Sequence, residues 1–147
     1  MLRLPPRMEE VLLLVYGRGS REVDVAEKLG ISKQAVSKAL REARGRLAQI
    51  FLTVADLMGA DIIRVNIEKG YAIVKIRQTR QKAYIFYIPG KGPKVVFEGS
   101  MRLSKDDEKL YEEVIKAAVE WGILKGKVLE VGDLVKAMKE LIKVLER

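Results

Sequence analysis

The 147-residue sequence contains no cysteine and no histidine. The absence of cysteine excludes a disulfide framework and thiolate metal sites. The absence of histidine also removes Cys/His zinc centres, histidine-based triads and the usual general base near neutral pH. No apolar run approaches the roughly 20 residues of a membrane span. Met1 to Glu10 has no apolar core and is broken by Pro5 and Pro6, so it does not read as a signal peptide, and the cytoplasm is the expected location. Asparagine occurs once, at Asn66, among abundant Lys, Arg and Glu, a composition like that of thermophile proteins. The expectation is a binding protein without a cofactor, not an enzyme.

Apolar residues are plentiful, 48% of the chain, so a core can form. Charged residues make up 33% with both signs interspersed, which argues against disorder. Net charge is +8 and unevenly placed. Residues 1–58 carry ten basic and seven acidic side chains, net +3, and residues 59–103 carry nine and three, net +6. Residues 104–147 carry nine and ten, net −1. A polyanionic partner would meet the first two segments rather than the last.

Periodicity divides the chain in three and predicts an α+β fold. Residues 1–58 read as helical. Met8, Val11, Leu12 and Val15 mark one face of a first helix, which Gly17 and Gly19 end. Ser20 reads as the N-cap of a short helix running to Leu29, with Gly30 as its stop. Ser32 reads as the N-cap of a long third helix reaching Leu57, before Gly59. Residues 60–99 change to a strand period. Ile62, Ile63, Val65 and Ile67, then Tyr71 to Ile76, Ala83 to Ile88, and Val95 to Phe97 predict a small antiparallel meander. Turns fall at Lys69-Gly70, Gln78 to Gln81 and Pro89 to Pro93. The rest returns to helix. Ser104 with Asp107 fits a capping box before the stripe Leu110, Val114, Ala117, Ala118 and Trp121, which Gly122 closes. Asp133 reads as the cap of a last helix with the stripe Leu134, Met138, Leu141, Ile142 and Leu145. The expected domains are 1–58, a helix-turn-helix with a long connecting helix, and 59–147, an α+β dimerisation or effector domain.

The sharpest signal runs from Glu22 to Arg41, EVDVAEKLGISKQAVSKALR. A helix-turn-helix joins two helices at about a right angle through a turn of three or four residues. Ala26 is small where the helices cross, and Gly30 tolerates the positive φ of the turn. Ile31 can plug the space between the helices, and Val25, Leu29, Val36 and Ala39 supply inward faces. The outward face of the second helix is Ser32, Lys33, Gln34, Ser37, Lys38 and Arg41, with no apolar or acidic member, and Arg44 and Arg46 continue it. Gln pairs bidentately with adenine, Arg or Lys with guanine, and Ser with base or phosphate. Lys33 and Lys38 also suit phosphates that fix the register. This pattern predicts double-stranded DNA as partner.

From Leu4 to Leu47 the sequence resembles the region-four-type helix-turn-helix of sigma factors and related tetrahelical regulators. The matching features are Leu4-Pro5-Pro6-Arg7, the run Val25-Ala26-Glu27-Lys28-Leu29-Gly30-Ile31-Ser32, and the basic tail from Arg41 to Leu47. It resembles more loosely the archaeal Tfx-type DNA-binding proteins. The resemblance covers about a third of the chain and implies a recognition role for Ser32, Lys33, Gln34, Ser37, Lys38 and Arg41. Promoter-melting regions of a sigma factor find no room, so a single transcriptional regulator or an architectural protein is expected.

Three further features bear on partners. Val36, Leu40, Ala43, Leu47, Ile50, Val54 and Leu57 form a heptad seam that could pair two copies, although its first part must serve the helix-turn-helix core. The C-terminal helix from Leu134 is the other candidate for a homodimer. An effector small molecule for the second half is an open reading. Lys75, Arg77, Arg80 and Lys82 flank a basic hairpin turn that could contact phosphates as a wing, or simply be solvated. Tyr84, Phe86 and Tyr87 fit sheet core better than base stacking. The alternative to a specific regulator is a nucleoid-architectural or RNA-binding protein using the basic sheet of residues 59–103.

Overall fold

The structure is a computed structural model that describes residues 2–99, 105–125 and 134–147. The predicted caps Ser104 and Asp133 lie outside the described residues. The architecture is α+β, with N-terminal helices, a four-stranded antiparallel sheet and two C-terminal helices. Helix α1 is Pro6–Leu12, with Pro5 as N-cap and Pro6 in the first turn, where its missing N–H costs nothing. A π-helical turn, Leu13–Gly17, continues it. Helix α2 is Glu22–Leu29 and α3 is Lys33–Leu57.

Ser20 is not the cap of α2. The helix starts later, with Arg21 as N-cap, and Ser20 N–H donates to the Leu14 carbonyl at 2.9 Å instead. Arg21 then pairs with Asp24 one turn on. At the other end, Gly30 adopts φ 67°. Ile31 N–H donates to the Ala26 carbonyl at 3.0 Å and Gly30 N–H to the Glu27 carbonyl at 3.3 Å. These bonds satisfy the helix's last carbonyls and turn the chain sharply into α3.

The sheet order is β1 (Ala60–Asn66), β2 (Tyr71–Ile76), β3 (Lys82–Ile88) and β4 (Gly92–Phe97), all antiparallel neighbours. β4 starts earlier than its β-branched run suggests and includes Pro93, opposite Tyr87. An edge strand tolerates the absent N–H of proline. The Asp61/Ile62 part of β1 and the part from Arg64 on are offset by a bulge between Ile62 and Arg64.

β2 is buried from Tyr71 to Val74 and β3 from Ala83 to Ile88, on both alternating faces. The centre of the sheet is therefore covered on each side. Helix α3 packs against β1, with further contact to β2 and β4. Helix α4 (Lys105–Glu120) packs against β3, and α5 (Leu134–Glu146) packs against α4. Tyr84, Phe86 and Tyr87 belong to this core, so no base can stack on them.

The heptad seam turns inward. Val36, Leu40, Ala43, Leu47, Ile50 and Val54 are buried inside one copy, and only Leu57 is exposed, at 77%. The stripe of α5 is used likewise, with Met138, Leu141 and Leu145 buried. The two helices that suggested pairing thus spend their apolar faces on the chain's own core, because the sheet needs cover on both faces. One hydrophobic cluster runs from Leu4 to Leu145. Among the described residues, no helix is long and apolar enough to cross a membrane.

Candidate nucleic-acid interface

The recognition end of α3 is built by its cap. Ser32 Oγ accepts from Ala35 N–H at 3.0 Å, and Ser32 carbonyl accepts from Val36 N–H at 3.1 Å. The N–H groups of Lys33 and Gln34 have no intrahelical acceptor, as at any helix start, and face outward at the positive end of the dipole. A phosphate can sit there without further help.

Side chains follow from the helical period. At 3.6 residues per turn, Gln34, Lys38 and Arg41 fall within about 60° of one another, opposite buried Val36 and Ala43. Lys33, Gln34, Ser37, Lys38 and Arg41 line one shallow concavity. Of the eight residues expected to meet DNA, six are exposed: Ser32, Lys33, Gln34, Lys38, Arg41 and Arg46.

The remaining two are held within the chain. Ser37 Oγ donates to Glu22 Oε1 at 2.6 Å, tying α3 to the first turn of α2. Arg44 Nη1 donates to the Tyr16 hydroxyl at 2.7 Å and approaches Glu68 at 3.4 Å. Its guanidinium carbon also lies 5.3 Å from the centre of the Tyr16 ring. Arg46 is exposed but lies about 140° round the helix from Arg41, so it is not on the same face. The exposed face after Arg41 continues to Gly45, which carries no side chain. Glu22 and Tyr16 thus shape the interface without touching it. Neither carries a sequence signal, because each reaches its partner from 15 or 28 residues away.

The helix-turn-helix is bolted to the rest of the fold at one place. Gly17 passes so close to α4 that a Cβ there would meet the Glu120 carbonyl oxygen. Lys69 Nζ donates to the Tyr16 carbonyl at 2.9 Å and the Trp121 carbonyl at 3.2 Å. Tyr87 completes the join. Its hydroxyl accepts from Leu4 N–H at 2.7 Å and donates to Glu9 at 2.8 Å, while its carbonyl accepts from Trp121 Nε1 at 2.9 Å. Burial pushes the Tyr87 hydroxyl up from its ordinary pKa, as burial and Glu146 do for Tyr84.

The basic hairpin stands elsewhere. Arg77 N–H donates to the Gly59 carbonyl at 3.1 Å, which docks the turn at the C-terminal end of α3. About 24 Å of helix separates Arg41 from Leu57, so this hairpin is not a wing beside the recognition helix. Lys75, Arg77 and Arg80 line a concavity with Asp61, and Lys82 instead pairs with Glu146 at 3.4 Å.

Two helices crossing at a glycine turn, with a polar, cationic second helix, define a helix-turn-helix. Residues 1–47 match the family described as Sigma-70, region 4. The match ends within α3, at Leu47, and covers nothing of the sheet or the last two helices. No curated protein and no solved structure matches the chain.

Proposed function

We propose that the chain is a sequence-specific, double-stranded DNA-binding transcriptional regulator that reads the major groove with the start of α3. The observation that carries this is a coincidence. The segment that matches sigma-70 region 4 is also the one that exposes Gln34, Lys38 and Arg41 on a single helical face behind a capped N-terminus. Gln34 and Arg41 are the base-reading residues, Gln suited to adenine and Arg to guanine. Lys33, with the free N–H groups beside it, and Lys38 hold phosphates on either side. Ser37 positions α3 through Glu22, and Arg44 steadies it through Tyr16. The reading is of a binding protein acting in the cytoplasm, without cofactor.

The test separates reading from clinging. Gln34→Ala with Arg41→Ala should weaken binding to a selected site by roughly 1–3 kcal/mol per base contact while sparing random DNA. An equal fall on both would mean that the face touches only phosphate, and the proposal would fail. Affinity should also drop steeply with salt, and a flat response would remove nucleic acid as the partner.

A further inference from the structure

Residues 59–103 carry the larger positive excess, net +6, yet none of their described cations lines the concavity of the recognition face. The hairpin between β2 and β3 gathers part of that charge. Its sequence from Lys75 to Lys82, KIRQTRQK, contains no acidic residue. Lys75, Arg77 and Arg80 line one open concavity, and Asp61, bound to Arg77 at 2.9 Å, is the single carboxylate among its lining residues. Three cations against one anion leave a surplus facing solvent.

The hairpin is also held in shape. Arg80 N–H donates to the Ile76 carbonyl at 2.8 Å, and Ile76 N–H donates to the Gln81 carbonyl at 2.8 Å. Gln81 Nε2 donates to the Glu98 carbonyl at 2.7 Å, and Arg77 N–H is fixed to Gly59. Arg80 is the one non-glycine residue with positive φ, 62°, among the described residues. Glycine would sit there without strain, so the arginine holds this position at some backbone cost. Arg80 is among the residues that line the concavity.

We infer that this concavity is a second DNA-binding site, which grips the phosphate backbone of a duplex other than the one read by α3. The inference rests on the proposed DNA reading by Gln34 and Arg41. Its geometry follows from α3, which carries the hairpin about 24 Å beyond Arg41 along a straight helix. Where α3 enters the groove by its N-terminal end, a hairpin about 24 Å further along the helix lies beyond a groove about 8.5 Å deep and is left for a second duplex. The protein then holds two duplexes, one by sequence and one by charge.

The experiment uses the full chain, a selected-site duplex fixed to beads and a fluorescent duplex of random sequence. Wild type should retain the random duplex on the beads. Arg77→Gln with Arg80→Gly should retain at least tenfold less, with binding to the selected site unchanged. The Arg80→Gly change relaxes the backbone, and an unchanged melting temperature together with unchanged selected-site binding separates a lost contact from unfolding. The salt slope for capture of the random duplex should shrink by about 2, one unit per lost phosphate contact. Lys116→Gln with Lys139→Gln, which removes the same charge elsewhere, should behave as wild type. Failure of wild type to retain the random duplex, or unchanged retention by the hairpin variant, overturns the inference. Displacement of the random duplex by single-stranded RNA at far lower concentration than by DNA also overturns it, in favour of RNA. If Gln34→Ala with Arg41→Ala leaves selected-site binding intact while the hairpin variant abolishes capture, the recognition reading falls and the hairpin site stands.

Discussion

Ser37 on α3 donates a 2.6 Å hydrogen bond to Glu22 on α2, across the turn that sets the angle between the two helices. A serine that faces outward by period is therefore not free to read a base. A short bond to a carboxylate is typically worth more than a neutral one, but this pair is only part-buried. Ser37→Ala should cost about 1 kcal/mol in thermal or denaturant unfolding, and it should leave the ranking of DNA sites unchanged. A changed site preference would show that the hydroxyl contacts a base after all.

Gly30 sits at φ 67°, and no heavy atom lies within 4 Å of where a Cβ would be. The cost of substitution is therefore backbone alone. Gly30→Ala should lose about 1 kcal/mol and Gly30→Val more, while Gly30→Asn should be milder because asparagine visits the left-handed region more readily. The order of the three melting temperatures checks this. Equal losses would mean that a neighbour, not φ, sets the cost.

Leu47 lies in the buried seam of α3, fully covered within one copy. Leu47→Ala should cost about 2–5 kcal/mol, as for other fully buried leucines. Because the seam packs on its own chain, the melting temperature of both proteins should be independent of protein concentration. A loss that is rescued at high concentration would restore the seam to a coiled coil.

The tyrosines give a pH signature. Burial first, and then the hydrogen bond to Glu146, hold the Tyr84 hydroxyl above its usual value of 10.0. A group whose folded pKa is raised contributes stability that is present below the unfolded pKa and is lost as pH climbs past it. Thermal stability should thus fall once pH rises above about 10, and Tyr84→Phe should flatten that alkaline limb. An unchanged alkaline limb in Tyr84→Phe would assign it to other groups.

The turn chemistry was legible in the sequence. Gly30, Ser32 and the apolar, β-branched run in Tyr71 to Ile76 mark local geometry that local residues dictate. The direction of an apolar stripe was not. Val36 to Leu57 repeats with a coiled-coil period, but whether it meets a second copy or its own sheet depends on what else needs cover, and that is decided by residues far along the chain. The same holds for the site. Periodicity placed Gln34, Lys38 and Arg41 on one face, yet could not show that Tyr16 would take Arg44, or that Arg77 would anchor the hairpin at the wrong end of α3 for a wing. Contacts 15 to 30 residues apart leave no periodic trace. Ser20 misled because a serine before a helix is a common cap, and here the chain needed one more residue to leave the π-helical turn.

Lys69 makes the last prediction, because it joins the two halves. Its ammonium donates to the carbonyls of Tyr16 and Trp121, at the ends of the π-helical turn and of α4. Both carbonyls are at negative helix ends, where a cation is favoured. Gly17 and Gly122 allow the two ends to touch, since a Cβ on Gly17 would strike the Glu120 carbonyl and one on Gly122 the Gly17 carbonyl. Replacing Lys69 by Met keeps the length of the side chain but leaves two carbonyls without a donor in a part-buried place. The expected cost is about 2–3 kcal/mol. Lys69→Arg should recover part of it, because the charge returns even if the fork fits less well. Water able to reach both carbonyls would reduce the loss in Lys69→Met to a few tenths of a kcal/mol, and the join would then rest on Gly17 and Tyr87 instead.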